Sequence, residues 1–129
     1  MTRALLLENP HDVADDIFAK FGIEVTRVKG ALSEDDLIEA LEGIDYVGLR
    51  SKTEVTERVL RARPKLKAIG AFCIGTNQID LATATEMGIA VFNAPYSNTR
   101  SVVELAIGEI IDLSRRVTVK NSRLHRGVW

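Results

Sequence analysis

The sequence predicts an α/β fold: a parallel sheet of five strands with helices on both faces, followed by a long C-terminal helix. Three observations carry this. Five short apolar runs alternate with four helical patterns across residues 1–93. The connections between successive runs are too long for hairpins, which parallel strands require. A longer amphipathic pattern then begins after the fifth run. With 129 residues, 46% apolar and 27% charged, the chain can form about one domain with a substantial core.

Residues 3–8 read as the first strand, closed by Asn9-Pro10. Residues 11–21 read as a helix, with Val13, Ile17 and Phe21 on one face and Gly22 at its end. Residues 23–28 alternate and are rich in β-branched side chains, as a second strand should be. Ser33, followed by Glu34-Asp35-Asp36, caps the next helix, and the acids suit its positive end. Residues 44–49 form the third strand, and Thr56 caps a short helix that Pro64 ends. Residues 66–72 form the fourth strand, Asp80 caps another helix ended by Gly88, and residues 89–93 form the fifth strand. Right-handed crossovers leave few topologies, of which the flavodoxin-like order 2-1-3-4-5 is the expected one.

Ser101-Val102-Val103-Glu104 has the spacing of a capping box. Apolar residues at 102, 103, 106, 107, 110, 111, 113, 117 and 124 follow at helical spacing, predicting one helix over 101–125, roughly 37 Å long. Its end is basic: Arg115, Arg116, Lys120, Arg123 and Arg126 stand without an acid after residue 112, leaving residues 1–112 at a balance of −6. These cations complement the negative helix pole or face an anionic or protein partner. The apolar stripe has no sheet face left to cover and predicts a homo-oligomer formed through this helix.

The net charge of −1 argues against nucleic-acid binding. The N-terminal apolar run is too short for a secretory signal, and no stretch approaches the roughly 18 to 20 apolar residues that span a bilayer. A cytoplasmic protein without membrane contact is expected. Cys73 is the single cysteine, so there is no intrachain disulfide or multi-cysteine metal site, and a packed thiol is the plain reading. His11 with Asp12 lacks metal-ligand spacing. A phosphorelay receiver would need an acidic phosphoacceptor after the third strand, where Arg50 stands instead.

Ligands of open parallel sheets bind beyond the carboxyl ends of the strands, at the topological switch point. The loops placed there contain Glu8-Asn9-Pro10, Arg50-Ser51-Lys52-Thr53, the segment from Phe72 to Asn77, and Asn93 to Asn98. Arg50 and Lys52 supply cations, and a guanidinium can fork onto a phosphate or carboxylate. Ile74-Gly75 can present backbone N–H groups to an anion. Both features point to a small acidic ligand. The alternative is ordinary surface cations and a structural turn.

Three longer stretches narrow the choice: Gly48-Leu49-Arg50-Ser51-Lys52-Thr53 with the run from Ala68 to Asp80; the run from Val91 to Leu105; and His125-Arg126-Gly127-Val128-Trp129. Together they resemble the D-2-hydroxyacid dehydrogenase superfamily, in particular its bacterial phosphoglycerate dehydrogenases, over nearly the whole chain. That resemblance implies that residues 1–98 are a substrate-binding segment. Residues 99–129 would then be a helix crossing into an NAD-binding domain that lies largely beyond Trp129. It implies oxidation of 3-phospho-D-glycerate to 3-phosphohydroxypyruvate with NAD, the first step of serine synthesis.

By position, the resemblance assigns Arg50 to the substrate phosphate and Ser51 beside it. Lys52 replaces a frequent arginine, keeping the charge and losing the fork. Lys29 matches a cation lining the same site. The N–H groups of Ile74 and Gly75 would take the carboxylate, with Ile74 also touching the nicotinamide, and Asn98 would lie in the cleft. No catalytic residue is assigned, because neither His11 nor His125 matches the acid/base position. The nine glycines contain no G-x-G-x-x-G, so this chain without further sequence is expected to be inactive. A stand-alone anion-binding or self-associating module is the competing expectation.

Overall fold

A computed structural model describes all of residues 1–129. It contains two compact units, Met1–Pro95 and Tyr96–Trp129. The division falls after Pro95 rather than after residue 98, so Asn98 belongs to the second unit.

The first unit alternates β1 (Arg3–Leu7), α1 (Val13–Lys20), β2 (Glu24–Val28), α2 (Glu34–Ala40), β3 (Tyr46–Leu49), α3 (Glu57–Ala62), β4 (Ala68–Ala71), α4 (Leu81–Glu86) and β5 (Ala90–Asn93). The sheet order is β2-β1-β3-β4-β5, and every pairing is parallel. The expected caps form: Ser33 Oγ accepts from the Asp36 N–H, Thr56 Oγ1 from Val59 and an Asp80 carboxylate oxygen from Thr83.

Four strands begin later than their apolar runs. Ile23, Ile44, Leu66 and Ile89 donate their N–H groups back to Phe18, Leu41, Arg63 and Ala84. Each therefore closes the C-terminal end of the preceding helix instead of joining the sheet ladder. Ile44, Leu66 and Ile89 are buried there, which explains why an apolar residue is needed outside the strand.

Successive strand residues face opposite sides. One side presents Leu5, Leu7, Val47, Leu49, Ile69 and Ala71, and α2, α3 and α4 close over it through Leu37, Leu41, Val59, Leu60 and Ala84. On the other side α1 packs against β2, and Ala4 and Leu6 are fully buried. The expected inward face of α1 is corrected. Val13, Ile17 and Phe21 are about half exposed or more, and Ala14 is the buried residue. Arg27 of β2 sets this rotation. It grips the Asp15 carboxylate at 2.7–3.0 Å and donates to the Pro10 carbonyl at 2.8 Å, so the residue next to Asp15 turns inward.

Across this second face the register aligns Leu6, Gly48, Gly70 and Phe92 in one row. The Phe72 ring lies over Gly48: a Cβ there would meet both Phe72 Cε2 and Leu6 Cδ2 at 2.6 Å. Phe18, Ile23, Phe72 and Phe92 bound an apolar hollow of about 270 Å³ over the two glycines.

The second unit is helical. The single helix expected over 101–125 is two: α5 (Thr99–Arg115) and α6 (Val117–His125). Arg116 between them is left-handed (φ 53°, ψ 43°), and an Asp112 carboxylate oxygen accepts from both the Thr118 N–H (2.8 Å) and its hydroxyl (2.7 Å). A side chain from the last turn of α5 thus caps the first turn of α6. The capping box at Ser101 is also absent. Helix α5 starts two residues earlier, Asn98 makes no side-chain cap bond, and Glu104 pairs with Arg100 at 2.5 Å. No helix is long and apolar enough to cross a membrane.

The glycine row gives a paired expectation. Gly48→Ala must displace Phe72 or Leu6 and should lower the unfolding free energy by about 1–3 kcal/mol. Gly70→Ala meets nothing closer than 3.8 Å and should be neutral or stabilising by up to about 1 kcal/mol. Urea midpoints of the two variants check this.

Candidate functional site

In an all-parallel sheet, every strand's carboxyl end opens on one rim. Here β1 and β3 are neighbours although β2 intervenes in sequence, so the chain winds in opposite directions from this pair and leaves a crevice at their ends.

The crevice begins where β1 stops. Glu8 and Asn9 are both left-handed (φ 62° and 54°), a conformation costing about 1 kcal/mol or more per non-glycine residue. The Glu8 N–H still continues the ladder to the Val28 carbonyl at 3.1 Å. Its side chain, 9% exposed, crosses to the loop after β3. One oxygen accepts from the Lys52 N–H at 3.1 Å and the other from the Thr53 N–H at 2.7 Å.

From the opposite side, buried Gln78 donates through Nε2 to the Arg50 carbonyl at 2.7 Å and lies 3.3 Å from Cys73 Sγ. The Cys73 thiol points its proton at the Gly75 carbonyl, 3.2 Å away, a packed role as its sequence context suggested. Asn93 Nδ2 donates to the Ile74 carbonyl at 2.7 Å, and the Ala94 N–H to the Cys73 carbonyl at 3.0 Å. The loops after β1, β3, β4 and β5 are therefore one continuous hydrogen-bonded rim.

The cationic side chains on that rim take no part in these bonds. Arg27, Arg58 and Arg61 are tied to carboxylates, whereas the head groups of Arg50, Lys52 and Lys29 have no protein partner. The N–H groups of Ile74 and Gly75 have no acceptor, and both residues are exposed. A side chain at Gly75 would meet Asn77 Oδ1 at 2.9 Å, so glycine keeps this corner open. A hollow of about 550 Å³ lies against Arg50, bounded by Asn9, Pro10, His11, Asp12 and Phe72. This arrangement can hold an anion by unpaired cations on one side and by backbone donors on the other.

Of the residues singled out from sequence, Arg50, Ser51 and Lys52 follow β3, Lys29 follows β2, and Ile74 and Gly75 follow β4. All six share the rim of the first unit. Asn98 stands at the start of α5 in the second unit. From sequence, Glu8 is placed in a rim loop and Gln78 in the run after the fourth strand, and neither is given a role. The available signal for Glu8 was an acid closing a run of four buried aliphatic residues, a poor place for a charge unless backbone donors await it.

Residues 4–123 match the D-isomer specific 2-hydroxyacid dehydrogenase family, catalytic domain, and the chain belongs to that family. Among curated relatives, it is 50% identical over 125 residues to D-3-phosphoglycerate dehydrogenase 2 of Saccharomyces cerevisiae, covering 97% of this chain and 27% of the relative. It is 50% identical over 126 residues to D-3-phosphoglycerate dehydrogenase of Escherichia coli K12, covering 97% and 31%. The chain thus spans less than a third of the length of these relatives. Among solved structures, the TT0316 protein of Thermus thermophilus superposes with a TM-score of 0.80 at 25% identity, covering 99% of this chain and 42% of the other. The PH0520 protein of Pyrococcus horikoshii gives 0.79 at 26%, covering 100% and 38%.

Burial pushes the Glu8 carboxyl up, but hydrogen bonds from Thr53 and from the backbone of Lys52 and Arg50 more than reverse this, holding it below its ordinary value of 4.5. A carboxyl depressed on folding adds stability that is complete above the unfolded value and is lost as pH falls through the folded one. Urea midpoints followed from about pH 7 to about pH 3 should therefore decline below about 4.5, and less steeply in Glu8→Gln.

Proposed function

We propose that this chain is the substrate-side part of an NAD-dependent dehydrogenase that oxidises 3-phospho-D-glycerate to 3-phosphohydroxypyruvate, feeding serine synthesis. The observation that carries this reading is the pairing of unpartnered cations (Arg50, Lys52, Lys29) with free amides (Ile74, Gly75) on the switch-point rim. A phosphorylated hydroxy acid has an anion at each end, and the rim offers two kinds of anion receptor. The half-identical relatives named for phosphoglycerate support the same ligand.

In this reading Arg50 forks onto the phosphate, with Ser51 and the Lys29 and Lys52 ammonium groups adding donors and charge. The Ile74 and Gly75 amides take the carboxylate. Holding both ends leaves the C2 carbon, with its hydroxyl and hydrogen, fixed between them, which is the positioning that hydride transfer needs. NAD supplies the hydride acceptor when bound. Ile74, whose side chain is half exposed beside its free N–H, gives an apolar surface suited to the nicotinamide ring. The hydroxyl proton leaves to a base, a role that the family resemblance gives to neither His11 nor His125.

Arg50→Ala in the complete dehydrogenase should raise KM for 3-phospho-D-glycerate by roughly 10- to 150-fold, the loss of a charged hydrogen bond worth about 1.5–3 kcal/mol, and leave KM for NAD unchanged. Steady-state kinetics check this, and an unchanged substrate KM removes Arg50 from the site and the reading with it.

The stripe on α5 supports a second copy as partner. Val102, Ile107, Ile110 and Ile111 are each more than half exposed on a helix with no buried residue. Sedimentation equilibrium should show the chain self-associating, and Ile107→Asp with Ile111→Asp should return it to a monomer; a monomeric parent chain refutes this.

A further inference from the structure

We propose that Glu8 is a positioning residue of the anion site, acting through the backbone of the cation-bearing loop and not on the ligand itself. The inference rests on the ligand reading above and extends it to a residue with the wrong charge for direct contact.

The geometry is specific. Glu8 reaches across 44 and 45 residues of sequence to take two successive N–H groups, one per carboxylate oxygen. Gln78 holds the carbonyl of Arg50 from the other side at 2.7 Å. The three successive peptide groups from Arg50–Ser51 to Lys52–Thr53 are thereby each held by one of these bonds, while the cationic head groups stay free. Glu8 is itself anchored by its N–H to Val28 and by a left-handed backbone.

No smaller change supplies the same contacts. A carboxylate accepts at both oxygens, whereas an amide accepts at one and turns donor protons toward a donor at the other. A buried negative charge beside an anion site also repels the ligand. Its presence is unfavourable for attraction and useful for shape. The two effects predict opposite signs on neutralisation, and this makes the role measurable.

The test compares Glu8→Gln and Glu8→Asp with the parent in the complete dehydrogenase, by steady-state kinetics with 3-phospho-D-glycerate and NAD. Positioning predicts that E8Q raises the substrate KM by about 10- to 100-fold, the scale of a misplacement near 1 Å, with KM for NAD within about twofold. E8D keeps the charge and withdraws it by one methylene, and it should raise the same constant by a smaller factor. Should E8Q not fold, E8D alone decides: an unchanged substrate KM overturns the proposal. A substrate KM that falls in E8Q means that repulsion dominates, and it overturns the proposal. Equal changes in both KM values mean a general folding defect and also overturn it.

Amide exchange in the 129-residue chain gives a readout free of the ligand. In E8Q the Lys52 and Thr53 amides should lose protection while those of β1 and β3 keep theirs. Retained protection at 52 and 53 defeats the proposal. Arg50→Ala separates the two readings. If it leaves the substrate KM unmoved, the ligand assignment fails, and exchange still reports on the loop. If Arg50→Ala raises KM and neither Glu8 variant does, Glu8 alone is wrong.

Discussion

A strand that must pair parallel to its neighbour has to be re-entered from the same end, so each strand is followed by a crossover and all loops leaving strands collect on one rim. In this chain that constraint produces the site. None of the rim residues is near all the others in sequence: Lys29, Arg50, Gly75 and Gln78 follow three different strands. The ladder holds the ends of their strands in common register, and side chain to backbone bonds complete what the ladder begins. The helices do less here. Helices α2 to α4 seal one face of the sheet, and the shape of the rim depends on the hydrogen bonds that Glu8 accepts and that Gln78 and Asn93 donate between loops.

The sheet was readable because its signals are local or periodic. Alternation of apolar runs with capped helices gives element type, and crossover handedness gives the order. Boundaries were less readable because an apolar side chain does not reveal what its own N–H is doing. Ile23, Ile44, Leu66 and Ile89 look like strand starts and serve as helix stops. The rotation of α1 was misjudged for a related reason. Periodicity favours the stripe of larger side chains, and the decision was made by Arg27, a residue on another element.

At the site, the positions of the rim residues were legible and the side chains that hold the loops were not. Arg50 and Ile74-Gly75 follow from the loop rule, and Lys29 from likeness to a family. For Glu8 the sequence offers an out-of-place acid but not its partners, since its two acceptors matter only once residues 52 and 53 are brought opposite it. Two successive left-handed residues without glycine, Glu8 and Asn9, add local strain at the same point. A glycine would relieve that strain and lose the carboxylate. The acid present here bears that strain and spans to the Lys52 and Thr53 amides.

The interruption at Arg116 has a consequence for how this C-terminal unit can vary. In an uninterrupted α-helix an inserted residue turns everything beyond it by about 100°, carrying every downstream side chain to a new azimuth. The left-handed Arg116 ends one helical phase and begins another, and the Asp112 carboxylate bonded to Thr118 ties the new phase to the last turn of α5. A residue inserted before Asp112 would therefore swing α6 and its basic side chains together with the end of α5, whereas one inserted between Asp112 and Thr118 would break the cap itself.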